Sequence, residues 1–198
     1  MEKKSDTWHF FATVSRMKYI ERWALMRSTR PENISEHSLE VAMIGHALCI
    51  IGNVRYGKRL NAEKAALIGL YHDASEIITG DMPTPVKYYD TAIREAYRRI
   101  EDDAACKLLQ LLPDDLREEF ERVLLPEQTE DGYLLLLIKA ADKLSALIKC
   151  LEEEKAGNRE FVKAEKAARD KLVLMKLPEV DIFLEEFIPA YACTLDEL

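Results

Sequence analysis

Helical structure is indicated most clearly by NISEHSLEVAMIGHAL, residues 33–48, where apolar residues recur at helical rather than alternating spacing. Asn33 followed by Glu36 forms a capping-box pattern, which marks the start of a helix. Counting forward from His37 in steps of three and four reaches a row of apolar residues, Val41, Ile44, Leu48 and Ile51. The pattern therefore predicts a helix whose histidine points toward the protein core.

The same spacing continues along the chain, which has only 7 glycines and 7 prolines among its 198 residues. We predict an all-α, single-domain helical bundle over residues 1–198, because this length suits one domain with a sizeable core. Asp6 is a candidate N-cap for a first helix through Trp23, and Asn61 precedes a helix that contains His72. Later helices are expected at about 89–111, 131–154, 159–175 and 178–190, with short helical pieces before Arg122.

A metal site is predicted from His37 and three further residues on inward-facing stripes. His72 and Asp73 are adjacent in ALIGLYHDASEIITGD, and Asp142 lies in LLLLIKAADKLSALIKC. A buried carboxylate costs several kcal/mol unless it is paired, hydrogen-bonded or bound to a metal. Two imidazoles and two carboxylates suit a first-row divalent transition metal better than calcium or a structural zinc. Such an ion can polarise a phosphoryl oxygen and lower the pKa of bound water, as in metal-assisted phosphate hydrolysis.

The order of these residues resembles the HD-domain metal-dependent phosphohydrolase superfamily. Flanking segments such as ERWALMR, YHDASEIITGDMPTPVKYY and AGNREF resemble its bacterial 5'-deoxynucleotidase (YfbR-like) branch, from about Phe10 to the C-terminal LDE. The resemblance implies an HD-type fold and a metal-dependent phosphomonoester hydrolase. Its substrates would be deoxyribonucleoside 5'-monophosphates, its products a deoxynucleoside and phosphate, and its assembly a homodimer.

The resemblance also assigns roles to residues outside the metal site. Glu76 would transfer a proton, although a glutamate there could instead orient a metal-bound histidine. Arg22 would orient the phosphate, since a guanidinium fork matches two phosphate oxygens. Trp23 would line the sugar pocket and select deoxyribose by leaving no room for a 2'-hydroxyl. Asp81 would lie near the sugar hydroxyl, and Thr84 would belong to the same nucleotide-binding loop.

Two other functions remain open from the sequence. The same metal site could act on another nucleotide or phosphate ester, because the superfamily hosts several such activities. The protein could instead be a non-catalytic nucleotide sensor. The ligand types do not identify the ion, for which cobalt, manganese, zinc, copper, nickel and iron are all compatible.

Charge and composition limit the partners that we expect. Lys plus Arg number 28 against 36 Asp plus Glu, and the net charge of −8 disfavours a nucleic-acid polymer or a membrane surface as partner. Neither MEKKSDTWHFF nor YLLLLI is long and apolar enough to span a membrane, so we expect a cytoplasmic protein. We also predict a partly buried structural His46, an exposed Lys87 and a solvated helix end in CLEEEKAGNRE.

Overall fold

The structure, a computed structural model, describes residues 7–87 and 89–197, apart from the side chains of Thr84 and Glu130. Its α-helices are α1 Phe10–Val14, α2 Ile34–Tyr56, α3 Ala62–Tyr71, α4 Glu76–Thr79, α5 Thr84–Lys87, α6 Thr91–Leu109, α7 Asp114–Leu124, α8 Gln128–Lys155, α9 Val162–Met175 and α10 Pro178–Glu186. Short 3-10 helices cover Ser15–Tyr19, Arg159–Phe161, Ile188–Ala192 and Leu195–Glu197. These ranges contain no β-strand, only an isolated bridge between Glu21 and Asn33. The all-α prediction is confirmed.

The core is built around α2, α3 and α8, which pack together with α9 and α10 around them. Helix α2 begins as predicted, since the Asn33 side chain accepts from the Glu36 N–H and the Glu36 side chain accepts from the Asn33 N–H. A Cβ atom added to Gly69 would lie 2.7 Å from the Ala42 Cα atom. Glycine at that position therefore allows the backbones of α2 and α3 to approach closely, which places the end of α3 beside His37.

Helix α2, unlike the two segments MEKKSDTWHFF and YLLLLI, is long and apolar enough to cross a membrane by length and composition alone. However, 56% of its most apolar window is buried inside the protein. A core helix that is covered on most sides has the same composition. Packing against α3 and α8 covers much of the apolar surface of α2 and leaves one apolar face uncovered.

The first helix is much shorter than predicted. Helix α1 ends at Val14 and the 3-10 helix after it ends at Tyr19, so Arg22 and Trp23 lie in an irregular segment rather than at a helix end. The Arg22 N–H donates to the Glu32 carbonyl at 2.9 Å, and the Ile34 N–H donates to the Ile20 carbonyl at 3.0 Å. These pairings replace helical hydrogen bonds, and for this reason the predicted helix through Trp23 is wrong. Its proposed cap, Asp6, lies outside the described residues.

His72 and Asp73 lie in a turn between two helices, not inside one continuous helix as predicted. Helix α3 ends at Tyr71 and α4 begins at Glu76. Between them the backbone tightens to i, i+3 hydrogen bonds, such as Ala74 N–H to Tyr71 O at 2.9 Å and Glu76 N–H to Asp73 O at 3.0 Å. The turn changes the directions of the side chains on either side of it.

Glu153 anchors the loop that follows Trp23, so the prediction of a solvated helix end is wrong for this residue. Its side chain is 1% exposed. Its carboxylate accepts from the Thr29 N–H and hydroxyl, each at 2.8 Å, from the Arg30 N–H and from the Asn158 amide. It also pairs with the buried Lys149 ammonium. A loop of backbone donors is thus fixed to α8 by a single buried carboxylate.

Removal of this anchor is expected to destabilise the protein. Glu153→Ala leaves a buried ammonium unpaired and should reduce the free energy of unfolding by about 3–5 kcal/mol, measured by urea denaturation. Burial opposes ionisation of Glu153, but Lys149 and the other donors hold its pKa well below the usual value. The stabilisation by the Glu153 carboxylate is therefore fully present above the ordinary glutamate pKa. As the pH falls below that value, the difference in the free energy of unfolding between Glu153→Ala and wild type should shrink. The matched control is Glu152→Ala, an exposed neighbour; equal losses in both variants would contradict the prediction.

Candidate functional site

The structure brings together three of the four residues predicted to bind metal and places the fourth, Asp142, beside His37. One ligand atom each from His37, His72 and Asp73 lies within 4.8 Å of the others. The Asp73 Oδ2 atom is 3.1 Å from His72 Nε2 and 3.5 Å from His37 Nε2. On the other side, Asp142 Oδ1 is 3.4 Å from His37 Nε2. The cluster draws on α2, the turn after α3, and α8.

Both histidines are oriented through Nδ1, so that Nε2 faces the cluster. His72 Nδ1 lies 2.8 Å from the Gly69 carbonyl oxygen, which can only accept, so Nδ1 carries the hydrogen. His37 Nδ1 lies 2.9 Å from Ser145 Oγ, and the Ser145 hydroxyl donates to Glu40 Oε2 at 2.5 Å. The serine oxygen therefore accepts from His37 Nδ1. In the neutral form of each ring, the lone pair of Nε2 points at the carboxylates.

The two Nε2 atoms are buried and have no hydrogen-bond partner among the residues that the structure describes. Lone pairs that face carboxylate oxygens repel them unless a cation or a proton lies between. Such unpaired nitrogen and oxygen donors fit a divalent transition metal. The same geometry affects His72 without a metal: burial alone would lower its pKa, but Asp73 and Asp142 raise it. A proton can thus occupy the position that suits a cation.

The cluster holds its acids ionised. Burial opposes ionisation of Asp73, but His72 and His37 lower its pKa to about 2. The pKa of Asp142 is also lowered, since His37 and Lys143 outweigh its burial. Burial and the positive charge of Arg22 lower the pKa of His37. Ionised carboxylates and a neutral imidazole are the protonation states that metal binding requires.

Sequence reasoning missed the contact of Ser145 and Glu40 with the cluster. Ser145 is three residues after Asp142 and Glu40 three after His37, so helical spacing places each on the same face as a predicted ligand. The hydrogen bond from His37 to Ser145 spans 108 residues of sequence. Spacing alone could have suggested both residues, but their pairing depends on how α2 packs against α8.

Loss of the Ser145 hydroxyl is expected to weaken metal binding. Ser145→Ala leaves His37 Nδ1 without its partner and should raise the dissociation constant for a divalent metal about 10-fold to 100-fold, as observed for partners of metal-bound histidines. Titration of metal-stripped protein against a chromophoric chelator measures the constant. The matched control is Ser38→Ala, because Ser38 is buried next to His37 and its hydroxyl has no partner in the described part of the chain. Unchanged affinity in Ser145→Ala would contradict the assigned tautomer.

Glu76 is buried and lies in the field of Asp73. Its side chain is 5% exposed, and Oε2 has no hydrogen-bond partner within residues 7–87 and 89–197. Burial, followed by the charges of Asp73 and Asp81, raises its pKa to about 9. The Nδ1 atoms of both histidines already have other partners. Of its two predicted roles, the geometry therefore favours proton transfer over orientation of a histidine.

Arg22 and Trp23, adjacent in the chain, share one hydrogen-bond partner. Burial alone would lower the pKa of Arg22, but Glu32, Asp142, Asp73 and Asp81 raise it, in that order. The guanidinium thus lies in the field of the metal-site acids. Arg22 Nη1 and Trp23 Nε1 both donate to Glu32 Oε2, each at 2.8 Å. Glu32 was not among the predicted site residues.

The loop after α4 places Asp81 in the field of Arg22 and Asp73. Asp81 is half-buried, and burial and the charge of Asp73 raise its pKa against the opposing effect of Arg22. Thr84 begins α5, and its side chain lies outside the described residues.

Lys87 is half-buried and donates to Glu101 at 2.8 Å, so its predicted exposure is wrong. His46 is exposed, which contradicts the partial burial that we predicted.

Comparison with known proteins gives matches along nearly the whole chain. Residues 9–191 match the family described as 5'-deoxynucleotidase YfbR-like. A 5'-deoxynucleotidase of Yersinia pseudotuberculosis is 48% identical over 190 residues, which cover 96% of each chain. A 5'-deoxynucleotidase of Vibrio vulnificus is 47% identical over 190 residues, covering 96% of this chain and 97% of the relative.

Two solved structures share the fold. An HD-domain phosphohydrolase from Listeria innocua superposes with a TM-score of 0.78 at 24% identity, covering 92% of this chain and 88% of that chain. A cyanophage S-2L HD phosphohydrolase, bound to dA and one catalytic Zn2+ ion, superposes with a TM-score of 0.62 at 22% identity, covering 92% of this chain and 96% of the other. These similarities confirm the predicted HD-type helical fold.

Proposed function

The chain belongs to the YfbR-like 5'-deoxynucleotidase family, and on that premise we propose that it hydrolyses deoxyribonucleoside 5'-monophosphates to a deoxynucleoside and phosphate. It is a metal-dependent phosphomonoester hydrolase of the HD-domain class. The observation that carries this function is the pair of buried Nε2 atoms, of His37 and His72, which face ionised Asp73 with no partner among the described residues. Relatives of nearly half-identical sequence bear the name of that activity.

We propose that His37, His72, Asp73 and Asp142 hold one divalent transition-metal ion. When bound, such an ion supplies Lewis acidity, which polarises a phosphoryl oxygen and makes water a stronger acid. Zinc is the ion of the cyanophage neighbour, and cobalt, manganese, copper, nickel and iron suit the same donor atoms.

The chain's own residues bind the phosphate and handle the proton. Arg22 supplies fixed donors for the phosphate oxygens and offsets their negative charge. A water oxygen bonds to phosphorus as the bond from phosphorus to the 5'-oxygen breaks. Glu76, which keeps its proton at neutral pH, gives that proton to the 5'-oxygen and is protonated again by the proton that the water loses. Asp73 and Asp142 stay ionised throughout. The buried surroundings of these groups strengthen each of the charge interactions.

Phosphate release from paired deoxyribo and ribo 5'-monophosphates tests the function. Metal-stripped protein would be assayed alone and with manganese, cobalt, zinc or magnesium. We expect release only with metal, and faster release from the deoxy member of each pair. Equal rates on both sugars would contradict the proposed selectivity. Release from neither sugar with any metal would contradict the nucleotidase function and favour another phosphate ester or a nucleotide sensor.

The proposed role of Trp23 gives a separate prediction. Trp23→Ala should reduce the ratio of deoxy to ribo kcat/KM by about tenfold. A pocket discriminates against one added substituent by about 1–2 kcal/mol, and the indole would do so by excluding the 2'-hydroxyl. Trp8→Ala is the matched control, since Trp8 is exposed and lies just before α1. An unchanged ratio in Trp23→Ala would show that this indole does not select the sugar.

We also propose that the protein is a homodimer in which the uncovered face of α2 contributes to the interface. That face carries a row of exposed apolar side chains at helical spacing, Leu39, Met43, Ile50 and Val54. Met43→Glu should shift the mass measured by light scattering toward the monomer, whereas Val173→Glu on the exposed face of α9 should not. A monomeric wild-type protein would contradict the proposal.

A further inference from the structure

We infer that Glu32 is a positioning residue that couples phosphate binding to sugar selection. It holds the Arg22 guanidinium and the Trp23 indole through one carboxylate oxygen. The inference rests on the proposed function, in which Arg22 contacts the phosphate and Trp23 the sugar. It adds a residue that touches neither part of the substrate but fixes the geometry of both contacts.

The contacts of Glu32 are short and shielded from solvent. Its Oε2 atom accepts from Arg22 Nη1 and from Trp23 Nε1, each at 2.8 Å. The side chains of Arg22 and Glu32 are each 12% exposed. The Glu32 carbonyl also accepts from the Arg22 N–H at 2.9 Å. The segment that carries the arginine is thus tied to Glu32 through both backbone and side chain.

The backbone of Trp23 makes this support necessary. Trp23 has a φ angle of 61°, in the left-handed region that bulky residues rarely adopt. Such a conformation persists where the surrounding structure holds it, and it is often found at functional sites. The Trp23 ring lies 5.3 Å from the Phe161 ring, centroid to centroid, and its N–H is held by Glu32. Phe161 packs against the indole at an interplanar angle of 59°, and the hydrogen bond to Glu32 fixes the rotation of the indole.

The charge of Glu32 has two opposing consequences for the substrate. It occupies Nη1 of Arg22 and leaves other donors of the guanidinium for phosphate oxygens. It also offsets part of the positive charge that attracts the phosphate. Loss of Glu32 should therefore loosen the geometry without weakening the attraction for an anion. A residue that served only the fold would not separate these two effects.

Steady-state kinetics of Glu32→Ala provide the test. We expect the deoxy to ribo ratio of kcat/KM to fall about tenfold, the effect of losing one charge-assisted hydrogen bond, with a lower kcat and a KM for the deoxynucleotide that does not rise. Glu32→Gln keeps an acceptor oxygen and should show an intermediate ratio. Glu36→Gln, a change of the same kind at the cap of α2, should leave the ratio at the wild-type value. A wild-type ratio in folded Glu32→Ala would overturn the inference.

A double variant tests whether Glu32 acts through the indole. Phenylalanine lacks the N–H that Glu32 holds, so adding Glu32→Ala to Trp23→Phe should change the ratio no further. Independent, additive losses would overturn the coupling.

A fluorescence measurement separates this inference from the proposed function. The chain has 2 tryptophans, so Trp8→Phe leaves Trp23 as the only tryptophan, which is excited selectively at wavelengths that tyrosine does not absorb. Glu32→Ala in that background should increase acrylamide quenching of Trp23, whether or not the protein is active. Unchanged quenching would overturn the inference, whereas wild-type protein that hydrolyses no deoxynucleotide would overturn the function instead.

Discussion

Asp142→Ala is expected to lower the rate of phosphate release about a thousandfold while the helical fold is retained. The Asp142 Oδ1 atom lies 3.4 Å from His37 Nε2, and the pKa of the carboxyl group is lowered, so the carboxylate is ionised. Its loss removes one of two negative charges that would hold the cation, and bound cations contribute several kcal/mol to stabilising phosphoryl-transfer transition states. The fold should survive because the side chain of Asp142 is 34% exposed and the core face of α8 is unchanged.

Three measurements on the same protein sample make this prediction specific. Phosphate release reports the reaction, circular dichroism reports the helices, and chelator competition reports the metal. Glu152→Ala serves as control, since it removes an exposed acid from the same helix. Wild-type metal affinity in Asp142→Ala would mean that the ion is held by His37, His72 and Asp73 without it.

Glu76→Gln should lower kcat by about 10²-fold to 10⁴-fold and leave metal affinity near the wild-type value. Glutamine has the same shape but cannot donate the carboxyl proton, and positioned acids and bases contribute rate factors of that size. Because Glu76 is not bonded to either histidine, its replacement should not disturb the metal ligands. A large loss of metal affinity with little loss of kcat would instead assign Glu76 to metal binding.

The pH profile provides an independent check on Glu76. Its raised pKa means that the protonated form is present at neutral pH and is lost as the pH rises. An acid that gives its proton to the leaving oxygen should therefore produce a fall in wild-type kcat on the alkaline side. That alkaline limb should be absent from the residual activity of Glu76→Gln. A limb of the same shape in both proteins would assign it to another group.

The helices that form the core could be predicted because their signals are local. Apolar spacing and the capping box at Asn33 identify α2 from neighbouring residues alone. The segment around Arg22 and Trp23 could not be predicted in this way. Its sequence predicts a helix, but its backbone pairs with residues near Glu32. This pairing places Arg22 in the field of the metal-site acids and the Trp23 indole against Glu32. Tertiary hydrogen bonds there override local preference.

The candidate ligands could be predicted and their surroundings could not. Three properties identify the candidate ligands: their residue types, their positions on apolar stripes and their order along the chain, which resembles that of the HD-domain superfamily. These ligands are His37, His72, Asp73 and Asp142. The partners that orient or hold the site, Ser145 and Glu32, are an ordinary serine and an ordinary glutamate in sequence. Their roles arise only when elements far apart in the chain are packed together, as in the Ser145 contact with His37.

Gly69 connects the packing of the helices to the chemistry of the site. A side chain there would collide with the backbone at Ala42, and the Gly69 carbonyl orients His72. A larger residue would push α3 away from α2 and, with it, move one imidazole away from the other, whose rings are now 5.1 Å apart. This position therefore sets the spacing of the two histidines, although Gly69 itself has no side chain that could bind an ion.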